Sequence, residues 1–379
     1  MEILSPKAIA YAEDYQEELE QLLLALCRIP APSHQEDQRA SFCRDWFIQA
    51  GGKDTYIDEA KNVVCPWHLT EDKPVVVFMA HTDTVFPDLT PFEPVVTDER
   101  ISCPGVGDDT ANLAVLMLAA RYIMQNELPI GCGVLFVANS CEEGLGNLKG
   151  SRQLLKDYGS RIRAVISFDG YLEGITHQAV GSHRYRVEIR TPGGHSYASF
   201  GKPNAIHLLS ELIHTLYQVK IPEGMGYTTY NVGCIEGGTS VNTIAQNASM
   251  LYEYRSDDRR GLHFMQQTFE QAVANCREKG IDIRVEKIGE RPCSGNPDPG
   301  MMEWLEKTAQ QVVKNYAGFL PGLGSGSTDC NIPLSMDIPA ICPGVVSGGG
   351  AHTREEYILR SSLLPGLKVG IALIASFMK

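Results

Sequence analysis

Imidazole and carboxylate side chains stand where several short apolar runs of this chain give out. His81 and Asp83 follow "VVVFM" (75–79), Glu142 and Glu143 follow "VLFVA" (134–138), Asp169 closes "AVISFD", and His352 ends "PAICPGVVSGGGAH". Asp108 and Asp109 stand just before a long apolar run with no charge from 113 to 120. Taken singly, each reads as a solvated loop residue, and Asp108, Asp109 and Thr110 read as ordinary caps for the first turn of a helix. Gathered at the ends of covered strands they are harder to dismiss. Crowded carboxylates raise one another's pKa and resist ionisation, and no Lys or Arg occurs within these motifs to offset them. A pair of divalent cations resolves the conflict, and mixed imidazole and carboxylate donors suit zinc, cobalt or manganese.

The elements needed to bring these residues together follow from the same runs. Uninterrupted apolar strands belong to sheets covered on both faces, and helix-like stretches at 111–126 and 151–158 lie between them. The reading is an α/β fold with a mixed, largely parallel sheet, whose sites form beyond the carboxyl ends of the strands. The charge-free run at 113–120 predicts a buried helix rather than an amphipathic one. In the middle of the chain the rhythm changes. Residues 183–191, 248–256 and 281–289 alternate like half-exposed strands, with amphipathic helix patterns between them, one at 204–219 and one on Leu262, Met265, Phe269, Ala272 and Cys276. This predicts an inserted α+β domain of split βαβ (ferredoxin-like) type over 181–293, interrupting an α/β domain of 1–180 and 294–379. The turn-rich "RPCSGNPDPG" (291–300) marks the return.

Bulk properties narrow the class. The 379 residues carry a formal net charge of −13, which argues against nucleic acid or an anionic membrane as partner. The N-terminal stretch has acids where a secretion signal needs a basic start, so the expected compartment is the cytoplasm. Eleven cysteines, an odd number without a C-x-x-C pair, read as small buried hydrophobes in a reducing environment.

In order and spacing, "HTDT" (81–84), "GVGDDT" (105–110), "CEEG" (141–144), "FDG" (168–170), "GGHS" (193–196) and "GGGAHT" (348–353) resemble the M20 family of cocatalytic metallopeptidases over nearly the whole chain. The resemblance implies a zinc-exopeptidase-like catalytic domain with an inserted lid or dimerisation domain, hence a homodimer through that insertion. It implies two divalent metal ions, zinc or alternatively cobalt or manganese. His81 and Asp169 would be ligands of one metal, Glu143 and His352 of the other, and Asp108 the ligand shared by both. Asp83 would orient the His81 imidazole, and Glu142 would be the general base toward the water between the metals. The peptide bond after Asp108 would be cis. His195 would stabilise the tetrahedral intermediate, although it also reads as a turn histidine in "TPGGHSY". Arg255 and Asn242 would hold the substrate's terminal carboxylate, although Arg255 also reads as an edge-strand residue paired with Asp257.

Asn112 stands near a position where many members carry Gly, which implies altered surroundings for an intact ligand set. "GLGSGSTDCN" (322–331) is similar to the family's substrate-pocket segment and fits neither a G-x-S-x-G nucleophile frame nor a phosphate loop. His207 and His214 share a helix face and read as surface or packing residues. His34, His68, His177, His183 and His263 belong to no motif. Asp at 169, together with "HTDTVFPD", resembles the peptidase T-like branch and implies aminopeptidase action on short peptides. The alternatives are amidohydrolysis of an N-acyl amino acid by the same chemistry, and a non-catalytic binding homologue.

Overall fold

The computed structural model describes residues 4–127 and 131–377, and the chain divides into two compact units, Met1–Ala179 with Gly295–Lys379, and Val180–Ser294. The first is built on an eight-stranded mixed sheet. Its order is Tyr56–Ile57, Val63–Trp67, Gly133–Asn139, Val75–His81, Ile162–Ser167, Ala340–Pro343, Gly174–Ala179 and Gly322–Gly326. The four strands from Gly133–Asn139 to Ala340–Pro343 run parallel to their neighbours within this group. Val75–His81 and Gly133–Asn139 are buried at every position, as β-branched and apolar runs in the middle of a doubly covered sheet must be.

Parallel pairing has a direct consequence for the site. It sets the carboxyl ends of these four strands at one edge of the sheet, with His81 opposite Asn139 and Met79 opposite Ser167. Helix Ala111–Gln125, made largely of strong helix formers, is buried at every position from Ala111 to Ala120 and brings the turn before it to the sheet. It packs on helix Leu363–Ala375, which also packs on Pro299–Ala317. A small antiparallel sheet, Val95–Val96, Arg100–Ser102, Gly348–Gly349 and Tyr357–Leu359, ties the loop of His352 to the segment before Asp108.

The second unit is a four-stranded antiparallel sheet in the order Thr228–Gly237, Asn247–Ser256, Gly181–Arg190 and Asp282–Arg291. Helices Ala205–Tyr217 and Arg259–Glu278 complete a βαββαβ arrangement with its own core around Tyr185, Tyr252, Tyr254 and Phe269. Asn204 and Asp258 cap these helices, accepting N–H groups of their first turns. The edge strand Thr228–Gly237 was not anticipated: mostly exposed, it lacks the alternation that marks its three neighbours. Among the described residues no helix is long and apolar enough to cross a membrane.

Candidate metal centre

Four strand ends and one helix mouth converge on Asp108. Its Oδ1 lies 3.0 Å from Nε2 of His81, and its Oδ2 lies 3.1 Å from Nε2 of His352. His352 Nε2 is also 3.4 Å from Oε2 of Glu143. Two sets of three donors therefore share Asp108: His81, Asp108 and Asp169, and Asp108, Glu143 and His352, each with ligand atoms within 4.8 Å of one another. Glu142 joins His81 and Glu143 in a third such group. The turn Val106–Thr110 makes this possible, because Asp108 and Asp109 leave helical dihedrals and their connecting peptide bond is cis. Neither acid caps the helix. No side chain caps its first residue, and Asp109 Oδ2 instead accepts the backbone N–H of His81 at 2.8 Å.

The electrostatics of the protein groups alone show a need for positive charge. His81 Nδ1 faces the main-chain oxygen of Asp83 at 2.9 Å and donates to it, which leaves the Nε2 lone pair pointing at the Asp108 carboxylate. Two acceptors face each other there unless a proton or a cation lies between them. Burial opposes ionisation of Asp108, but hydrogen bonds from His352 and, with that second proton on its ring, from His81 outweigh it and hold the carboxyl below its usual range. Hydrogen bonds to Asp108 and Glu143 raise His352 to about 10. Burial pushes Glu143 up to about 7 and Asp169 well above the carboxylate range, with Asp108 adding to both. Glu143 Oε1 is buried without a hydrogen-bond partner. Imidazole and carboxylate donors in two overlapping triads, with one orphaned oxygen, fit a pair of divalent ions of the zinc, cobalt or manganese type.

Buried side chains hold these donors in place, mostly through the backbone. The Asp83 carboxylate accepts the N–H groups of Glu142 (2.9 Å) and Glu143 (3.0 Å) and the hydroxyl of Ser33 (2.6 Å). It lies 3.5 Å from His81 Nδ1, so it holds the two glutamates more closely than the imidazole. Burial resists ionisation of Asp83, and hydrogen bonds from His81, Ser33 and Glu143 override it. Asn112, noted above only as a departure, donates to the carbonyls of Gly107 and Gly170, both at 3.0 Å, and accepts Val345 N–H at 2.8 Å. One amide thus pins three loops of the site.

Two further residues were missed. Arg39, 3% exposed, donates to the carbonyls of Leu26, Ile29 and Thr82 and to Thr110 Oγ1, tying the segment after His81 to the turn of Asp108. Asp329, in the glycine-rich segment, accepts from Ser151 at 2.5 Å and from the Asn139 amide. Burial and the proximity of Glu142 push it up to about 7. Arg39 has no local sequence signal, since its partners lie far along the chain and are mostly main-chain carbonyls; Asp329 lies in the glycine-rich segment singled out above, but its side-chain partners Ser151 and Asn139 are distant in sequence.

His195, Asn242 and Arg255 lie in the second unit. Gly194–His195 pairs with Thr243–Ile244, and Ser196 N–H donates to the Asn242 carbonyl, so His195 and Asn242 share one exposed ribbon. His195 Nδ1 accepts from the backbone N–H of Tyr197 at 3.2 Å, which leaves Nε2 as the nitrogen that carries the proton in the neutral ring. Arg255 is held in two contacts by Glu253, at 3.0 and 3.1 Å, rather than by Asp257, which accepts the Tyr227 N–H. His207 is exposed beside Glu211. All eleven cysteines are free thiols, nine of them buried.

A model of peptidase family M20/M25/M40 matches residues 77–376. A Bacillus subtilis relative, "uncharacterized protein YqjE", is 25% identical over 327 residues, covering 83% of this chain and 84% of the relative. A probable carboxypeptidase of Aspergillus terreus is 28% identical over 187 residues, 46% of this chain and 43% of its own. The solved structure of a tripeptidase from Staphylococcus aureus superposes with a TM-score of 0.77 at 24% identity, covering 96% of this chain and 98% of that one.

Proposed function

The chain belongs to peptidase family M20/M25/M40 and is therefore a metal-dependent peptidase, and from that premise we propose that it is a dinuclear-metal exopeptidase removing the N-terminal residue of short peptides. The observation that carries this reading is Asp108, shared between two triads of metal-capable donors. In the proposal His81, Asp108 and Asp169 hold one ion, and Asp108, Glu143 and His352 hold the other, zinc being the first choice and cobalt or manganese the others. Bound there, such ions acidify water and polarise the scissile carbonyl.

The chain's own residues supply the rest. Glu142 takes the proton of the attacking water and delivers it to the leaving amine. Asp83 keeps the two neighbouring glutamates in different tasks, because each carboxylate oxygen anchors a different backbone N–H, that of Glu142 or that of Glu143. The unit of residues 180–294 is read as lid and dimerisation domain. From it, His195 steadies the oxyanion through Nε2–H, and Asn242 and Arg255 take the substrate's carboxylate once Arg255 exchanges Glu253 for it.

The Asp at 169 and the likeness to a tripeptidase support a short peptide with a free N-terminus. A second reading, an N-acyl amino acid or carboxypeptidase-type substrate, draws on the Aspergillus relative. Glu142 beside a full donor set speaks against a binding homologue without catalysis. The test is a panel of free tripeptides and their N-acetyl forms, with metal content measured on the same sample. Cleavage of the free peptides at their first bond with two metals bound is the expected result; preference for the acetylated forms would overturn the substrate assignment.

A further inference from the structure

Glu356 lies four residues beyond His352 and is fully buried. Its Oε2 accepts the N–H of Gly105 at 2.7 Å, and its Oε1 accepts those of Gly107 at 2.9 Å and Asp108 at 2.8 Å. Its main-chain carbonyl takes a fourth N–H, from Cys103. Both oxygens of one carboxylate are thus spent on the backbone of the turn that presents Asp108, about 250 residues away in sequence but joined to the His352 loop by the small sheet. Gly107 is needed at this spot: a Cβ there would meet Glu356 Oε1 at 3.0 Å and the Tyr171 ring at 2.9 Å.

We propose that Glu356 is a positioning residue for the metal centre, clamping residues 105–108 so that the two Asp108 oxygens stay divided between His81 and His352. This rests on the reading of Asp108 as the shared ligand. Backbone N–H groups aimed at a buried carboxylate make strong, charge-assisted hydrogen bonds. A glutamine in its place can keep only one oxygen, so its amide must confront either Gly105 N–H or the N–H pair of Gly107 and Asp108. The clamp loosens on one side while residue volume is kept.

The test is a titration of the metal-free full chain with Co²⁺, followed by visible absorption and calorimetry, for wild type, Glu356→Gln and, as a charge control, the exposed neighbour Glu355→Gln. Residues that orient metal ligands are worth about 10–100-fold in metal affinity. The expected result is a loss of that size for Glu356→Gln, with an altered Co²⁺ spectrum, while Glu355→Gln matches wild type. A Glu356→Gln protein that binds two equivalents with wild-type affinity and spectrum would overturn the proposal, even if its melting temperature fell. If the glutamine variant does not fold without metal, Gly107→Ala, which crowds the clamp without changing charge, decides in its place by the same readouts. Wild type failing to take two equivalents would instead sink the dinuclear reading itself, so the two failures are distinguishable.

Discussion

Asp108 has His81 on one oxygen and His352 on the other, while Glu142 stands beside Glu143 without duplicating it. If Glu142 only moves protons, Glu142→Gln should lower kcat by about 10²–10⁴-fold and leave metal stoichiometry unchanged, as kinetics and elemental analysis of the same preparation would show. Asp83→Asn should behave differently. An asparagine keeps one acceptor for the two glutamate N–H groups, so both kcat and metal affinity should fall, by about 10–100-fold in the affinity. The strand-end acids were legible in the sequence because charge interrupts uninterrupted apolar runs there. Arg39, Asn112 and Glu356 were not, because each acts largely through main-chain groups of distant segments, and a backbone carbonyl or N–H leaves no trace in residue type; Asp329 was not singled out because its side-chain partners Ser151 and Asn139 lie far along the chain.

At the scale of elements, parallel strand pairing does the gathering, and buried polar side chains fix the loops that leave the strands. Asn112 is the clearest case, since removing its amide strands Val345 N–H and the Gly107 carbonyl in a buried setting and the Gly170 carbonyl in a half-buried one. Asn112→Ala should therefore cost about 2–4 kcal/mol in denaturant unfolding, at about 1–3 kcal/mol per orphaned buried group with partial relaxation. The inserted unit's three alternating strands were legible from their period of two. Its edge strand Thr228–Gly237 was not, because exposure on both faces removes the apolar rhythm.

That unit also carries an acid-sensitive group. His183, 5% exposed, has Nδ1 2.7 Å from the Tyr254 hydroxyl. Burial lowers its pKa, Glu290 opposing and Lys287 assisting. With the folded pKa below the unfolded value near 6.5, the unfolded chain binds the proton first. Stability present above about pH 6.5 should then be lost as pH falls below it, and the loss should be smaller in His183→Gln when the two proteins' melting curves are compared.

For the molecule as a whole, each of the two units has its own core, and the metal-capable donors all belong to the first. Chelation should lower the melting temperature and zinc should restore it, each site adding about 2.7 kcal/mol at a hundredfold excess over its dissociation constant. The thiols offer an independent check on the packing. Cys234 is exposed and Cys276 half-buried, whereas burial pushes Cys43 up to about 12. Ellman's reagent should label Cys234 quickly in the native protein and reach the nine buried thiols only on unfolding. Anomalous scattering at the zinc edge, from crystals of the zinc-loaded protein, shows whether two ions share Asp108. The account predicts two peaks, one on each side of the Asp108 carboxylate and each about 2.0–2.2 Å from one of its oxygens. A single peak, or a pair that does not include Asp108, would contradict it.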